Sequence, residues 1–211
     1  IQLISWAINF DDHWEYFSFL KCYNELKEYY QVHELIPTDF PKKSSSESYN
    51  EENWPAAVYY RMIETEYNKR KYYSLFGWLA NADQTAFKII EVMTIGKSGK
   101  PYFGKTNYFS KDKSYQNRML FAYSSQSKFQ LAYGEYLYST RKWNAKKRKY
   151  DQTDHQEMLI VFDHLIPLYP DLKDISEFLV PVGNSVDAFY FEKGKWRYLS
   201  DIDARNIKRK D

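Results

Sequence analysis

Few cysteines and histidines are present, and their spacing restricts the chemistry that this sequence can support. Cys22 is the sole cysteine of the 211 residues, so an internal disulfide and a Cys-x-x-Cys zinc motif are both excluded. No two histidines stand two or four residues apart, as metal ligands often do; the four are His13, His33, His155 and His164. The sequence therefore predicts neither a metal centre nor a cofactor.

Long apolar runs and an excess of one charge are also missing. No stretch approaches the roughly 18 apolar residues that span a bilayer, which predicts no transmembrane segment in this chain. Lys and Arg (30) nearly balance Asp and Glu (28), and a net charge of +2 gives no general attraction for nucleic acid. The Gly-Lys pair within residues 96–100 lacks the spacing of a phosphate-binding loop, and we interpret it as a hairpin turn.

Aromatic residues are abundant: 21 Tyr, 14 Phe and 6 Trp make up 19% of the chain. Such side chains favour the half-buried surface of a β-sheet. Short apolar runs alternate with turn residues, and no long amphipathic helix interrupts them. We predict one all-β domain over residues 1–211, an antiparallel meander of about ten short strands that is barrel-like or a sandwich.

Individual segments sharpen this prediction. Alternating apolar residues predict a strand over residues 87–95 that forms a hairpin through the turn at residues 96–99. Residues 14–23 fit a helix or a strand, and we favour a strand paired with residues 29–36 because aromatic residues outnumber helix formers. Two solvated loops are predicted, one over residues 37–53 and a basic one over residues 139–156.

One set of polar residues is a candidate for acid–base chemistry. Asp163 and His164 end the most apolar predicted strand, and Asp187 lies in the strand predicted to follow. Neighbouring residues of a strand point to opposite faces of the sheet, so Asp163 and His164 converge only across a bulge. We therefore favour a structural role for His164 and predict no catalytic residue.

Eight short segments occur in a particular order and spacing; they are YYSLFGW (72–78), KIIEV (88–92), GKPYFG (99–104), FAYS (121–124), MLIVFDHL (158–165), VDAF (186–189), GKW (194–196) and DIDARN (201–206). In this combination, residues 54–206 resemble a group of exported envelope proteins of Bacteroidetes. The resemblance implies a leader peptide upstream of this chain and a location in the periplasm or at the outer membrane. Similar chains carry an aspartate after the proline that corresponds to Pro181, where this chain has Val182, and the missing carboxylate weakens a catalytic interpretation of that turn.

Three functions are compatible with these features. The preferred one is a non-catalytic interaction or structural subunit of a bacterial cell-envelope complex, whose partners are other envelope proteins. The second is a hydrolase or carbohydrate-acting protein that uses Asp163, His164 and Asp187. The third is a β-barrel that binds a small apolar ligand among its aromatic side chains.

Overall fold

Apolar and aromatic residues that alternate along the sequence place their side chains on the faces of extended strands. A computed structural model describes residues 1–11, 13–38, 47–79, 84–104, 108–111, 114–203 and 205–206. Within these residues the chain forms eighteen strands, two short 3-10 turns and no α-helix, which confirms the all-β prediction. The strands are β1 (Gln2–Asn9), β2 (Trp14–Asn24), β3 (Tyr29–Glu34), β4 (Pro37–Thr38), β5 (Tyr49–Asn50), β6 (Trp54–Pro55), β7 (Val58–Tyr67), β8 (Arg70–Leu79), β9 (Thr85–Ile95), β10 (Pro101–Phe103), β11 (Phe109–Lys111), β12 (Ser114–Gln116), β13 (Met119–Ser124), β14 (Leu131–Asn144), β15 (Lys149–Pro167), β16 (Leu179–Glu192), β17 (Lys195–Ile202) and β18 (Arg205–Asn206). The 3-10 turns lie at Pro170–Leu172 and Ser176–Phe178.

Three sheets hold almost all of these strands. The N-terminal sheet has the order β1-β2-β3, and the middle sheet has the order β5-β10-β9-β8-β7, with β13 also paired to β9. The C-terminal sheet has the order β12-β11-β17-β16-β15-β14-β18, and β4 pairs with β6. Consecutive strands pair antiparallel in each large sheet, as the predicted meander requires, whereas the β11–β17 and β4–β6 pairs are parallel.

The middle sheet is covered on both faces, so β8 and β9 are buried along most of their length. One face packs on the C-terminal sheet through a core that includes Phe76, Ile90, Val92, Phe162, Phe189 and Trp196. The opposite face packs on the N-terminal sheet through Leu20, Cys22, Leu35, Tyr73, Leu75 and Met93. Each fully buried aliphatic or aromatic side chain contributes about 1.5–3 kcal/mol to this three-layer packing.

The C-terminal sheet buries residues on its second face as well. Tyr136, Tyr138, Leu159, Val161 and Ala188 form a separate apolar cluster there. Register shifts between Asp163 and Leu165, and between Val186 and Ala188, interrupt the ladders of β15 and β16. Such bulges bend a strand and increase its twist, in keeping with the curled, half-barrel sheet that this fold contains.

The prediction of a basic loop over residues 139–156 is wrong. β14 and β15 continue through this region, where Arg141 pairs with Gln152 and Trp143 pairs with Tyr150. A four-residue turn, residues 145–148, joins the two strands. Polar and charged residues occupy both faces of this ribbon, so it lacks the apolar alternation that marks a strand.

The predicted loop over residues 37–53 is partly extended. Its ends form the two-residue strands β4 and β5, and residues 39–46 lie outside the described residues. The strands predicted for residues 14–23, 29–36 and 87–95 are confirmed as β2, β3 and β9.

Candidate functional site

The outward face of the N-terminal sheet exposes a group of large apolar side chains. The cross-strand pairs Ile4–Phe19, Trp6–Phe17 and Tyr23–Tyr30 bring these side chains side by side. We define the outward aromatic face as the eight residues Ile4, Trp6, Ile8, Phe17, Phe19, Tyr23, Tyr30 and Val32. Ile4, Tyr30 and Val32 are 64%, 62% and 63% exposed, so nothing in the described part of the chain covers them.

The rings of this face pack against one another. The ring of Trp6 stacks on Phe17 at 5.5 Å and on Phe19 at 6.0 Å between centroids. Tyr23 and Tyr30 meet edge to face at 5.2 Å, and the Lys21 ammonium lies 5.5 Å from the Tyr30 ring. These contacts, worth about 0.5–1.5 kcal/mol per ring pair, hold the rings in fixed positions.

The face is larger than the internal packing of the sheet requires. The opposite face already supplies the contacts to the middle sheet, through Leu20 and Cys22 of β2. Seven of the eight side chains are more than a third exposed, and cross-strand pairing places them side by side. Large contiguous apolar patches on a protein surface mark interaction sites.

His164 and Asp187 come together in the C-terminal sheet. Asp187 is 3% exposed, and its Oδ2 accepts a hydrogen bond from His164 Nδ1 at 2.9 Å. The same oxygen accepts the Tyr198 hydroxyl at 2.6 Å, and Oδ1 accepts the backbone N–H of Asp201 at 3.0 Å. A carboxylate accepts hydrogen bonds, so Nδ1 is the imidazole nitrogen that donates to Asp187, and the ring is oriented by this contact. This arrangement can position a histidine as a general base.

Asp163 does not join this pair. Its Oδ2 accepts the backbone N–H of Gln130 at 2.7 Å, which ties the start of β14 to β15. The register shift between Asp163 and Leu165 is a bulge of the kind that would let Asp163 and His164 converge. The bulge instead turns His164 towards Asp187, and Asp163 keeps its hydrogen bond to the backbone of Gln130. The candidate set is therefore reduced from three side chains to two.

A buried ion pair in the middle sheet was missed by the sequence analysis. Glu91 and Arg118 are both fully buried, and Arg118 Nε donates to Glu91 Oε2 at 2.7 Å. Burial raises the pKa of the Glu91 carboxyl, while the guanidinium opposes that shift. Arg118 also donates to the Glu47 carbonyl at 3.2 Å and lies over the Tyr49 ring, so the pair fastens β5 to the sheet.

A signal for this pair was present in the sequence. Glu91 occupies an apolar position of the alternating strand, between Ile89 and Met93. A charge on the buried face of a strand requires a partner. The partner itself, 27 residues further on, could not be identified from the sequence.

The remaining histidines are distributed over distant parts of the fold. His13 contacts Glu15, His33 contacts Gln31, and the His155 ring stacks on Tyr138. In the described ranges, no group of three or more His, Cys, Asp and Glu side chains is arranged to hold a metal ion. No helix found there is long and apolar enough to cross a membrane.

An open cleft of about 810 Å³ lies where three hairpin turns meet. Its walls include Tyr72 and Tyr73 together with the cationic Lys69, Arg70 and Lys97. Glu25 and Glu66 also line the cleft, so it presents groups of both charges.

No protein-family model, curated protein or solved structure matches this chain.

Proposed function

We propose that this protein is a non-catalytic interaction or structural subunit of a bacterial cell-envelope complex. The outward aromatic face is the surface through which it contacts another envelope protein. The observation that carries this proposal is the exposure of seven large apolar side chains, each more than a third accessible, on one face of a sheet whose other face is already packed. The eighth member of the face, Phe17, is half-buried.

The chemistry of this face fits a protein partner. Aromatic residues are enriched in the centres of protein interfaces, where charged residues are depleted. Trp6 and Tyr30 are residue types that often dominate binding energy, and their ring contacts reduce the entropy lost on association. Glu15 and Glu34 lie on the same face towards its edges, whereas Lys21 lies within it on the central strand and covers the Tyr30 ring.

The envelope location is supported by the resemblance of residues 54–206 to exported proteins of Bacteroidetes. The segments that carry the resemblance lie within residues 54–206, and the N-terminal strand at Ser5 and Trp6 is compatible with it.

The test compares two double variants of the protein in envelope extracts. Ile4→Thr with Phe19→Thr replaces a cross-strand pair of the outward aromatic face by residues that favour strands. Tyr102→Thr with Leu168→Thr changes two side chains that are similarly exposed elsewhere, at 49% and 55%. Wild type and the second variant are expected to co-elute with one identified envelope protein, whereas the first variant elutes alone.

Recovery of wild type as a lone monomer in the same extract would contradict the proposal. So would equal loss of the partner from both variants, because the outward aromatic face would then have no special part in binding.

A second candidate function is supported by the hydrogen bond between His164 and Asp187. A hydrolase could use His164 as a general base oriented by Asp187. His164→Ala and Asp187→Asn would then abolish turnover of ester or glycoside substrates. A wild-type protein without turnover of either substrate class would remove this candidate.

A further inference from the structure

A two-stranded ribbon extends beyond the C-terminal sheet. The ladder of β14 and β15 continues to the pair Asn144–Lys149, whereas β16 leaves β15 at the pair Leu159–Tyr190. In the part of the chain that the structure describes, no other strand pairs with residues 139–156, which we call the distal ribbon. At about 3.3 Å per residue, the distal ribbon extends about 20 Å from the sheet.

The net charge of the distal ribbon is more positive than that of the complete chain. It contains six cations against two carboxylates, a net charge of +4; the cations are Arg141, Lys142, Lys146, Lys147, Arg148 and Lys149. The complete chain has a net charge of +2, so the rest of the molecule has a net charge of −2. The chain as a whole is therefore nearly neutral, although the distal ribbon is strongly basic.

Both carboxylates of the distal ribbon are bound within it. Asp151 accepts Asn144 Nδ2 at 2.6 Å and Lys147 Nζ at 3.2 Å. Asp154 accepts the Ser139 hydroxyl at 2.6 Å and the Gln152 amide at 3.2 Å. These bonds engage one lysine of the turn, and Lys146, Arg148 and Lys149 remain exposed at the tip, as the burial of the described residues shows.

Two exposed rings lie next to these cations. Trp143 and Tyr150 are directly paired across the ribbon, 5.1 Å apart, and are 52% and 64% exposed. Trp and Tyr flanked by Lys and Arg are the residues that favour the boundary between lipid headgroups and acyl chains. A nucleic-acid duplex offers no apolar layer for the two rings, whereas a bilayer offers one just below its phosphates.

We propose that the distal ribbon binds the surface of an anionic phospholipid bilayer. Headgroup phosphates contact Lys146, Arg148 and Lys149, and Trp143 and Tyr150 enter the interface beside them. The length of the ribbon keeps the negatively charged body farther from the membrane than the Debye length of about 8–10 Å, so its repulsion is screened.

The test measures sedimentation with vesicles of phosphatidylcholine, alone or with about 30 mol% phosphatidylglycerol. Wild type is expected to sediment with the anionic vesicles only, and less so as salt increases. The variant Lys146→Gln, Arg148→Asn and Lys149→Gln removes three tip cations; Asn is chosen because φ at residue 148 is +49°. Its partition coefficient is expected to fall about a hundredfold, since each surface cation contributes about fivefold.

A matched variant removes the same charge elsewhere. Lys27→Gln, Lys128→Gln and Lys173→Gln change exposed lysines outside the distal ribbon and are expected to keep at least a tenth of wild-type binding. Trp143→Phe is expected to reduce the fraction of tryptophan fluorescence that brominated lipid quenches.

Three results would overturn the proposal. The first is that wild type does not bind the anionic vesicles, and the second is that both triple variants lose vesicle binding equally. The third is that wild type binds a double-stranded oligonucleotide more tightly than the vesicles, and that only the variant of the distal ribbon loses this binding. Circular dichroism of each variant checks that the fold is intact.

Discussion

The N-terminal sheet and the core between the middle and C-terminal sheets use the same residue types in opposite ways. In the core, Phe162 and Phe189 pack at 5.3 Å and are both almost fully buried. In the N-terminal sheet, Trp6 and Phe17 pack at a similar 5.5 Å, yet Trp6 is 38% exposed. Similar ring contacts therefore stabilise the fold in one region and form a surface in the other.

The difference shows that ring content alone does not distinguish structural from functional aromatics. A strand in a layered protein has two faces, and the number of covering sheets decides how many of them are buried. The middle sheet has a neighbour on each side, whereas the N-terminal sheet has the middle sheet on one side. The proposed partner would cover this second face of the N-terminal sheet.

The largest expected effect comes from removing one ring in each region. Phe189→Ala leaves a cavity in the core and should lower the free energy of unfolding by about 3–5 kcal/mol. Phe19→Ala removes a ring of the outward aromatic face and should lower it by less than about 1 kcal/mol. Urea unfolding of both variants measures the difference. Equal losses would mean that the outward aromatic face is part of the folding core.

Charge provides a second comparison, within the middle sheet. Glu91→Gln leaves Arg118 buried without its counter-charge and should cost about 3 kcal/mol of unfolding free energy. The matched variant Glu64→Gln breaks the exposed pair with Lys71, whose atoms are 2.7 Å apart, and should have no measurable effect. Urea unfolding again measures the free energy of unfolding of both variants. A large decrease in Glu64→Gln would contradict the expectation that the exposed pair contributes little because it is exposed.

Alkaline pH gives a smaller effect on the core. Burial raises the pKa of Tyr108 to about 12. An unfolded tyrosine ionises near pH 10. Between about pH 10 and 12 the unfolded state therefore releases a proton that the folded state keeps, so stability falls as pH rises, by about 2–3 kcal/mol.

The variant Tyr108→Phe isolates this contribution. It loses the hydrogen bond to Thr65 Oγ1 and should be less stable by about 1 kcal/mol at pH 8. Its stability should then depend less on pH than that of wild type above pH 10. An unchanged slope would show that Tyr108 is not the group responsible.

Much of the fold was predictable, because apolar alternation directly reflects which strands have a buried face. Residues 87–95 alternate clearly, and β9 forms there. The sequence of the distal ribbon predicts a loop, because its strands pair through backbone hydrogen bonds and a tight turn and have no apolar face. Ile4, Trp6 and Ile8 alternate visibly, but their exposure depends on which side the middle sheet covers, and that is a tertiary property.

The sequence predicts a candidate set of Asp163, His164 and Asp187, and the structure brings His164 and Asp187 together. The decisive feature is the register shift between Asp163 and Leu165. A bulge of this kind depends on how β15 and β16 are aligned, and the local sequence does not specify that alignment.

The most direct measurement is site-specific photo-cross-linking in cells that produce the protein, with a benzophenone side chain at position 19 or at position 102. The two native residues, Phe19 and Tyr102, are 38% and 49% exposed, so both probes reach solvent. We predict one discrete cross-link to an identified envelope protein from position 19 and none from position 102. An absence of cross-links at position 19, or the same products from both positions, would contradict the assignment of the outward aromatic face as an interaction surface.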